Sequence, residues 1–137
     1  MGKRILVQRM GRGSPTFRSP TKGKKGPAKY PPYLEGTHKG IVKALVHDPG
    51  RYVPLAVVQL DNGIEFRMPS AEGMYVGQVI EIGADASIKN GNILPLGSIP
   101  EGTQIFNIEL RPGDGGKLAR QPGSYAILIG RAGDKSI

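Results

Sequence analysis

The densest set of chemistry-bearing residues is Gly113-Asp114-Gly115-Gly116-Lys117, with Arg111 before it and Arg120 after it. Consecutive glycines beside a lysine suggest a phosphate loop, in which backbone N–H groups cradle an anion. The full pattern, Gly-x-x-x-x-Gly-Lys-Ser/Thr, fails twice: position 111 is Arg, and Leu118 follows the lysine. Gly113 to Gly116 also match the Gly-x-x-Gly of a KH module, but that loop joins helices, and the run Ile105 to Leu110 before it is strand-like. Nucleotide hydrolysis is therefore not expected. What remains is a glycine-rich bend with three cations around it, where a polyanion backbone could approach closely.

Two histidines complete the inventory, His38 and His47. Neither has metal-ligand spacing to another His or to a carboxylate pair. The absence of cysteine excludes disulfides, thiolate zinc sites and cysteine nucleophiles. His47-Asp48 resembles part of a triad, but a His-Asp pair opening a Pro-Gly turn reads as structural. No catalytic residue, metal, cofactor or small-molecule substrate is expected. Arg51 projects from that turn, and Arg111, Lys117 and Arg120 project from the glycine-rich one; guanidinium groups held this way suit phosphate recognition.

Charge placement points the same way. The net charge of +8 lies in the leading segment: residues 1–35 hold nine Lys or Arg against one acid, Glu35, while residues 36–137 hold ten of each sign. A basic arm on a neutral body is the footprint of a polyanion binder. Gly, Pro, Ser and Lys dominate the arm, and only Ile5-Leu6-Val7 is apolar over more than two residues. Ordering it costs about 1–2 kcal/mol per residue with almost nothing to bury in return, so on its own it is expected to be disordered. Phe17, Tyr30 and Tyr33 could stack on bases or anchor it. Six phosphate contacts from the arm would give a log K against log salt slope of roughly −4 to −5. No apolar run approaches the roughly 18 residues of a membrane span.

The body must hold these loops in place, and its pattern is β. Gly40 to Val46 reads as a strand ending at the Asp48-Pro49-Gly50 turn. Pro54 to Leu60 and Ile64 to Met68 flank Asp61-Asn62-Gly63. A two-residue loop mixes polar and apolar side chains on each face. A three-residue loop with Gly63 left-handed puts Ala56, Val58, Leu60, Ile64, Phe66 and Met68 on one face, with Gln59, Glu65 and Arg67 on the other. The three-residue loop is the expectation. Val79 to Ile82 reads as another strand, and Lys89 to Asn92 as a turn before Ile93 to Leu96. About five short strands over 37–100 suggest a small barrel. Ser124 to Gly130 reads as a strand, and Ala132-Gly133-Asp134 as a turn with too few residues after it to pair along that strand. A second β-unit is thus expected to begin near 103, to remain unfinished, and to leave that strand unpaired.

Several strings together resemble a known family. His47 to Ala56, Gly91 to Leu96, Ile99 to Thr103 and Arg111 to Arg120 stand in order and at the intervals of the universal second protein of the large ribosomal subunit. The opening Met-Gly-Lys-Arg, with Gly11-Arg12-Gly13-Ser14 and Phe17-Arg18 after it, resembles the archaeal and eukaryotic branch. The resemblance implies an extended basic arm (1–36), an OB-like barrel (37–102) and the start of an SH3-like barrel (103–137, truncated), all-β in class. It places Arg51 and Arg120 at arginines the family uses against rRNA. It implies a structural constituent of the cytoplasmic ribosome with rRNA and neighbouring ribosomal proteins as partners, supporting subunit association and the peptidyl-transferase region. The family's C-terminal part lies beyond position 137.

The residues expected to face RNA are therefore Lys3, Arg4, Arg9, Arg12, Arg18, Lys22, Lys24, Lys25 and Lys29 in the arm, with His47, Arg51, Arg111, Lys117 and Arg120 in the loops. The rival reading is a protein-binding adaptor that pairs through its terminal strand.

Overall fold

The computed structural model describes residues 2–19, 21–32, 34–132 and 135–136, with side chains omitted for 131–132 and 135–136. Tyr33 and the Gly133-Asp134 turn lie outside the described residues. Strands dominate. β1 (His38–Val46), β2 (Leu55–Leu60), β3 (Glu65–Pro69) and β4 (Val79–Ile82) form one antiparallel sheet in the order β3-β2-β1-β4. β5 (Gln104–Ile105) pairs with β6 (Ala126–Ile127), and β7 (Arg131–Ala132) with β8 (Lys135–Ser136). The class is all-β, as expected.

The β2–β3 hairpin follows the alternation read from the sequence. Gln59 pairs with Glu65 and Val58 with Phe66. The Leu60 N–H donates to the Ile64 carbonyl at 2.9 Å, leaving Asp61-Asn62-Gly63 as the three-residue loop. Gly63 has φ +85°, and neither Asp61 nor Asn62 is left-handed. A glycine takes that position without the steric penalty of a Cβ. Ala56, Val58, Leu60, Phe66 and Met68 are buried, and they join Val42, Met74 and Ile80 in the core. Full burial of each large aliphatic or aromatic side chain contributes about 1.5–3 kcal/mol.

Other expectations need correction. The described residues supply four strands over 37–100 rather than five: Ile93 makes only a single parallel bridge to Ile82, and Leu96–Ser98 turns into a short 3-10 helix. Pro95, which cannot donate to a ladder, ends the extended run there. β1 also carries a register shift between Val42 and Ala44.

The terminal run is not left unpaired. Only Ala126–Ile127 is strand, and its backbone is engaged: Ile127 pairs with Gln104, the Gly102 N–H donates to the Leu128 carbonyl at 2.7 Å, and the Leu128 N–H donates to the Thr103 carbonyl at 3.1 Å. Leu128 is buried as a result. The partner is the segment just before the glycine-rich loop, which reading the terminal run alone did not consider.

The arm also departs from the expected featureless segment. Leu6–Gly11 forms a short helix, α1, with no buried residue, and Pro15–Phe17 a 3-10 turn. Farther on, Lys29 bridges Arg67 on the outer edge of β3, Ala28 is 2% exposed, and Tyr30 and Leu34 pack against the core. The arm thus contributes apolar area to the body through a handful of residues, although its composition is polar.

Candidate nucleic-acid interface

The first loop is a β-turn with Pro49 at its second position, closed by the Arg51 N–H donating to the Asp48 carbonyl at 2.9 Å. Asp48 is buried at 1% exposure and pairs with Arg51 Nη1. Its carboxylate also accepts from the Lys25 backbone N–H at 3.4 Å. Burial alone would raise the Asp48 pKa; the Lys25 N–H and the Arg51 guanidinium outweigh it and hold the carboxyl below its ordinary value. Arg51 Nη1 donates in addition to the Gly26 carbonyl at 3.4 Å.

The second loop runs between two facing segments. Ile108 and Leu118 bridge, and the Lys117 N–H donates to the Ile108 carbonyl at 2.7 Å. Within the loop, the Gly113 and Gly115 N–H groups donate to Glu109, and the Leu110, Arg111 and Gly116 N–H groups donate to Asp114. The anion that fills this cradle is the chain's own pair of carboxylates. A phosphate would compete with both, so the loop is no phosphate cradle. The close approach at its glycines is also internal. A Cβ on Gly115 would lie 2.8 Å from the Lys29 side chain, and one on Gly116 would lie 2.3 Å from Asn107 Oδ1. The chain itself occupies the space expected for RNA at these two positions.

Asn107 and Ala119 face each other, both with left-handed backbone (φ +50° and +51°), and the Asn107 N–H donates to the Ala119 carbonyl at 3.0 Å. Asn tolerates this region better than most residues. Its side-chain nitrogen and oxygen are buried with no hydrogen-bond partner among the described residues.

Arg120 leaves this loop and donates through Nη2 to the Ala28 carbonyl at 2.6 Å, across 92 residues of sequence. Burial lowers its pKa, and the nearby positive charge of Arg51 lowers it further. The Tyr30 hydroxyl donates to the Asn107 carbonyl at 2.8 Å; burial pushes its pKa up to about 12. Segment 25–30 is therefore held at Lys25 by Asp48, at Gly26 by Arg51, at Ala28 by Arg120, at Lys29 by Arg67 and at Tyr30 by Asn107.

The expected site residues divide into three groups. Lys25 and Lys29 are exposed on this docked segment beside half-buried Arg51 and Arg120, and Lys22 and Lys24 are exposed just before it. Arg111, Lys117 and His47 are exposed in the loops. Lys3, Arg4, Arg9, Arg12 and Arg18 are exposed on and around α1 and the 3-10 turn, where every described hydrogen bond stays within residues 4–17. Among the described residues there is no group of three or more His or carboxylate side chains able to hold a metal.

Two features escaped sequence reasoning. Arg51 and Arg120 clamp the arm's backbone, a role that needs carbonyls distant in sequence. Tyr52, 95% exposed, borders the same groove as both arginines. Its position directly after Arg51 in a rigid turn was the available signal.

Proteins curated as large ribosomal subunit protein uL2 align along this chain. The protein from Hyperthermus butylicus is 63% identical over 137 residues, covering 100% of this chain and 58% of that protein. That from Desulfurococcus amylolyticus is 56% identical, covering 99% of this chain and 57% of that protein. That from Sulfolobus acidocaldarius is 52% identical over 135 residues, covering 98% of this chain and 56% of that protein. A family model described as Ribosomal Proteins L2, C-terminal domain, matches residues 89–137. The chain is similar to the ribosomal protein L2 family along its whole length. It spans somewhat more than half the length of the curated relatives it matches. These L2 relatives are archaeal, in keeping with the branch that the opening residues resemble.

Proposed function

We propose that this chain is a non-catalytic, rRNA-binding structural constituent of the large ribosomal subunit. The docked segment carries the reading: Lys24, Lys25 and Lys29 are exposed at or just before a backbone clamped by Arg51 and Arg120, and we read them as one basic ridge. A cation fixed in place loses less freedom on meeting a phosphate than one on a floppy tail. Lys3, Arg4, Arg9, Arg12, Arg18 and Lys22 extend the ridge as the arm, and His47, Arg111 and Lys117 extend it from the loops. In this reading 37–102 forms an OB-like unit and 103–137 begins an SH3-like one. Neighbouring ribosomal proteins complete the surroundings, the cytoplasmic ribosome is the location, and the scaffold supports subunit association and the peptidyl-transferase region.

The test is binding to large-subunit rRNA as a function of salt. Log K should fall linearly with log salt, and replacing Lys24, Lys25 and Lys29 by Gln should reduce the slope by about 2. A slope unchanged by the triple replacement would show that the ridge does not meet phosphate. The adaptor reading is left with the other edge of Ala126–Ile127, because the edge facing Gln104–Ile105 is paired within the chain.

A further inference from the structure

A groove of about 280 Å³ lies between the two loops, bordered by Arg51, Tyr52, Val53, Pro69, Arg120 and Gln121 among others. No carboxylate lines it. Arg51 commits Nη1 to Asp48 and Gly26, and Arg120 commits Nη2 to Ala28. A guanidinium carries five N–H donors, so most donors of both side chains have no protein partner among the described residues. The two cations repel one another across this space, a repulsion that a bound anion relieves. Tyr52 stands at the rim with 95% of its surface exposed, on a turn fixed by the buried Asp48. An exposed ring beside two guanidinium groups offers a face on which a base can stack. The volume lies near the lower limit of ligand sites, roughly 300 Å³, which suits one nucleotide.

We infer that the Arg51–Tyr52–Arg120 groove receives a single unpaired nucleotide, its base stacked on Tyr52 and its phosphate between the two guanidinium groups. The inference rests on the RNA-binding reading and adds to it a site for one looped-out base, with the Gln121 carboxamide within the same groove to meet the base edge.

A short uridine oligoribonucleotide and the same strand made abasic test this directly, because both carry the same phosphates and only one can stack. The wild-type chain should bind the base-bearing strand about 5- to 100-fold more tightly. Tyr52→Ala should abolish that preference while leaving the salt slope unchanged, and Tyr52→Phe should retain it. Tyr52 is almost wholly exposed, so none of these variants removes a core contact. Equal wild-type affinity for the two strands, or a preference that survives Tyr52→Ala, overturns the nucleotide site and leaves RNA binding standing. Failure of both strands to bind at low salt overturns the two readings together.

Discussion

The Tyr30 hydroxyl donates a 2.8 Å hydrogen bond to the Asn107 carbonyl, tying the arm to the segment that leads into the glycine-rich loop, 77 residues away. Burial favours the neutral phenol, and its pKa rises to about 12. The folded value lies above the unfolded one, so the stabilisation is complete below about pH 10 and disappears as the pH rises through about 12. Denaturant unfolding should show stability falling across that window. Tyr30→Phe should flatten the fall and lower stability near neutral pH by about 1 kcal/mol.

Gly116 and Gly113 separate crowding from backbone strain. Both are left-handed, at φ +89° and +82°, but only at Gly116 would a Cβ meet a neighbour, Asn107 Oδ1 at 2.3 Å. Gly113→Ala should cost about 1 kcal/mol, from conformation alone. Gly116→Ala should cost about 2–4 kcal/mol, since the buried Asn107 side chain must give way. Unfolding midpoints of the two variants check the difference.

Arg120→Ala should loosen the arm while the main sheet persists. The lost bond is charge-assisted, but the side chain is half exposed, so its local worth is about 1 kcal/mol. Hydrogen exchange at the Tyr30 amide, which donates to the Gly115 carbonyl at 3.4 Å, should accelerate about fivefold. Arg111→Ala serves as a control: Arg111 is exposed, and its loss should leave that amide unchanged.

His38 offers a pH test at the start of β1. Its Nδ1 lies 3.0 Å from Asp61 Oδ1 and its Nε2 lies 3.1 Å from the Glu35 carbonyl. The Asp61 carboxylate and that carbonyl raise its pKa above 6.5. Its contribution is present in full below that value and is lost as the pH rises through the raised one. Nuclear magnetic resonance titration should place the His38 midpoint above 6.5, and Asp61→Asn should bring it down.

Local patterns carried the hairpin. Alternation from Ala56 to Met68 selects one register only, because a shift by one residue would expose Phe66 and bury Glu65. The Asp48-Pro49-Gly50-Arg51 turn was legible for a similar reason, since each residue type suits its own position. The docking of segment 25–30 was not legible. Neither Gly26 nor Ala28 has a side chain that announces a partner, and what Arg51 and Arg120 grip is a backbone carbonyl, common to every residue. The filled cradle was hidden as well: nothing in the types or spacing of Glu109 and Asp114 marks them as acceptors for the loop's own N–H groups.

The grip of Arg120 on Ala28 also sets a schedule. A ribosome adding about 5–20 residues per second finishes the arm roughly 5–20 s before Arg120 exists. Once Asp48 and Arg51 are made, they can hold Lys25 and Gly26, while Ala28 and Tyr30 still wait for partners later in the chain. The nascent chain therefore passes through a stage with its main sheet formed and its basic arm half-fastened, open to whatever polyanion is at hand.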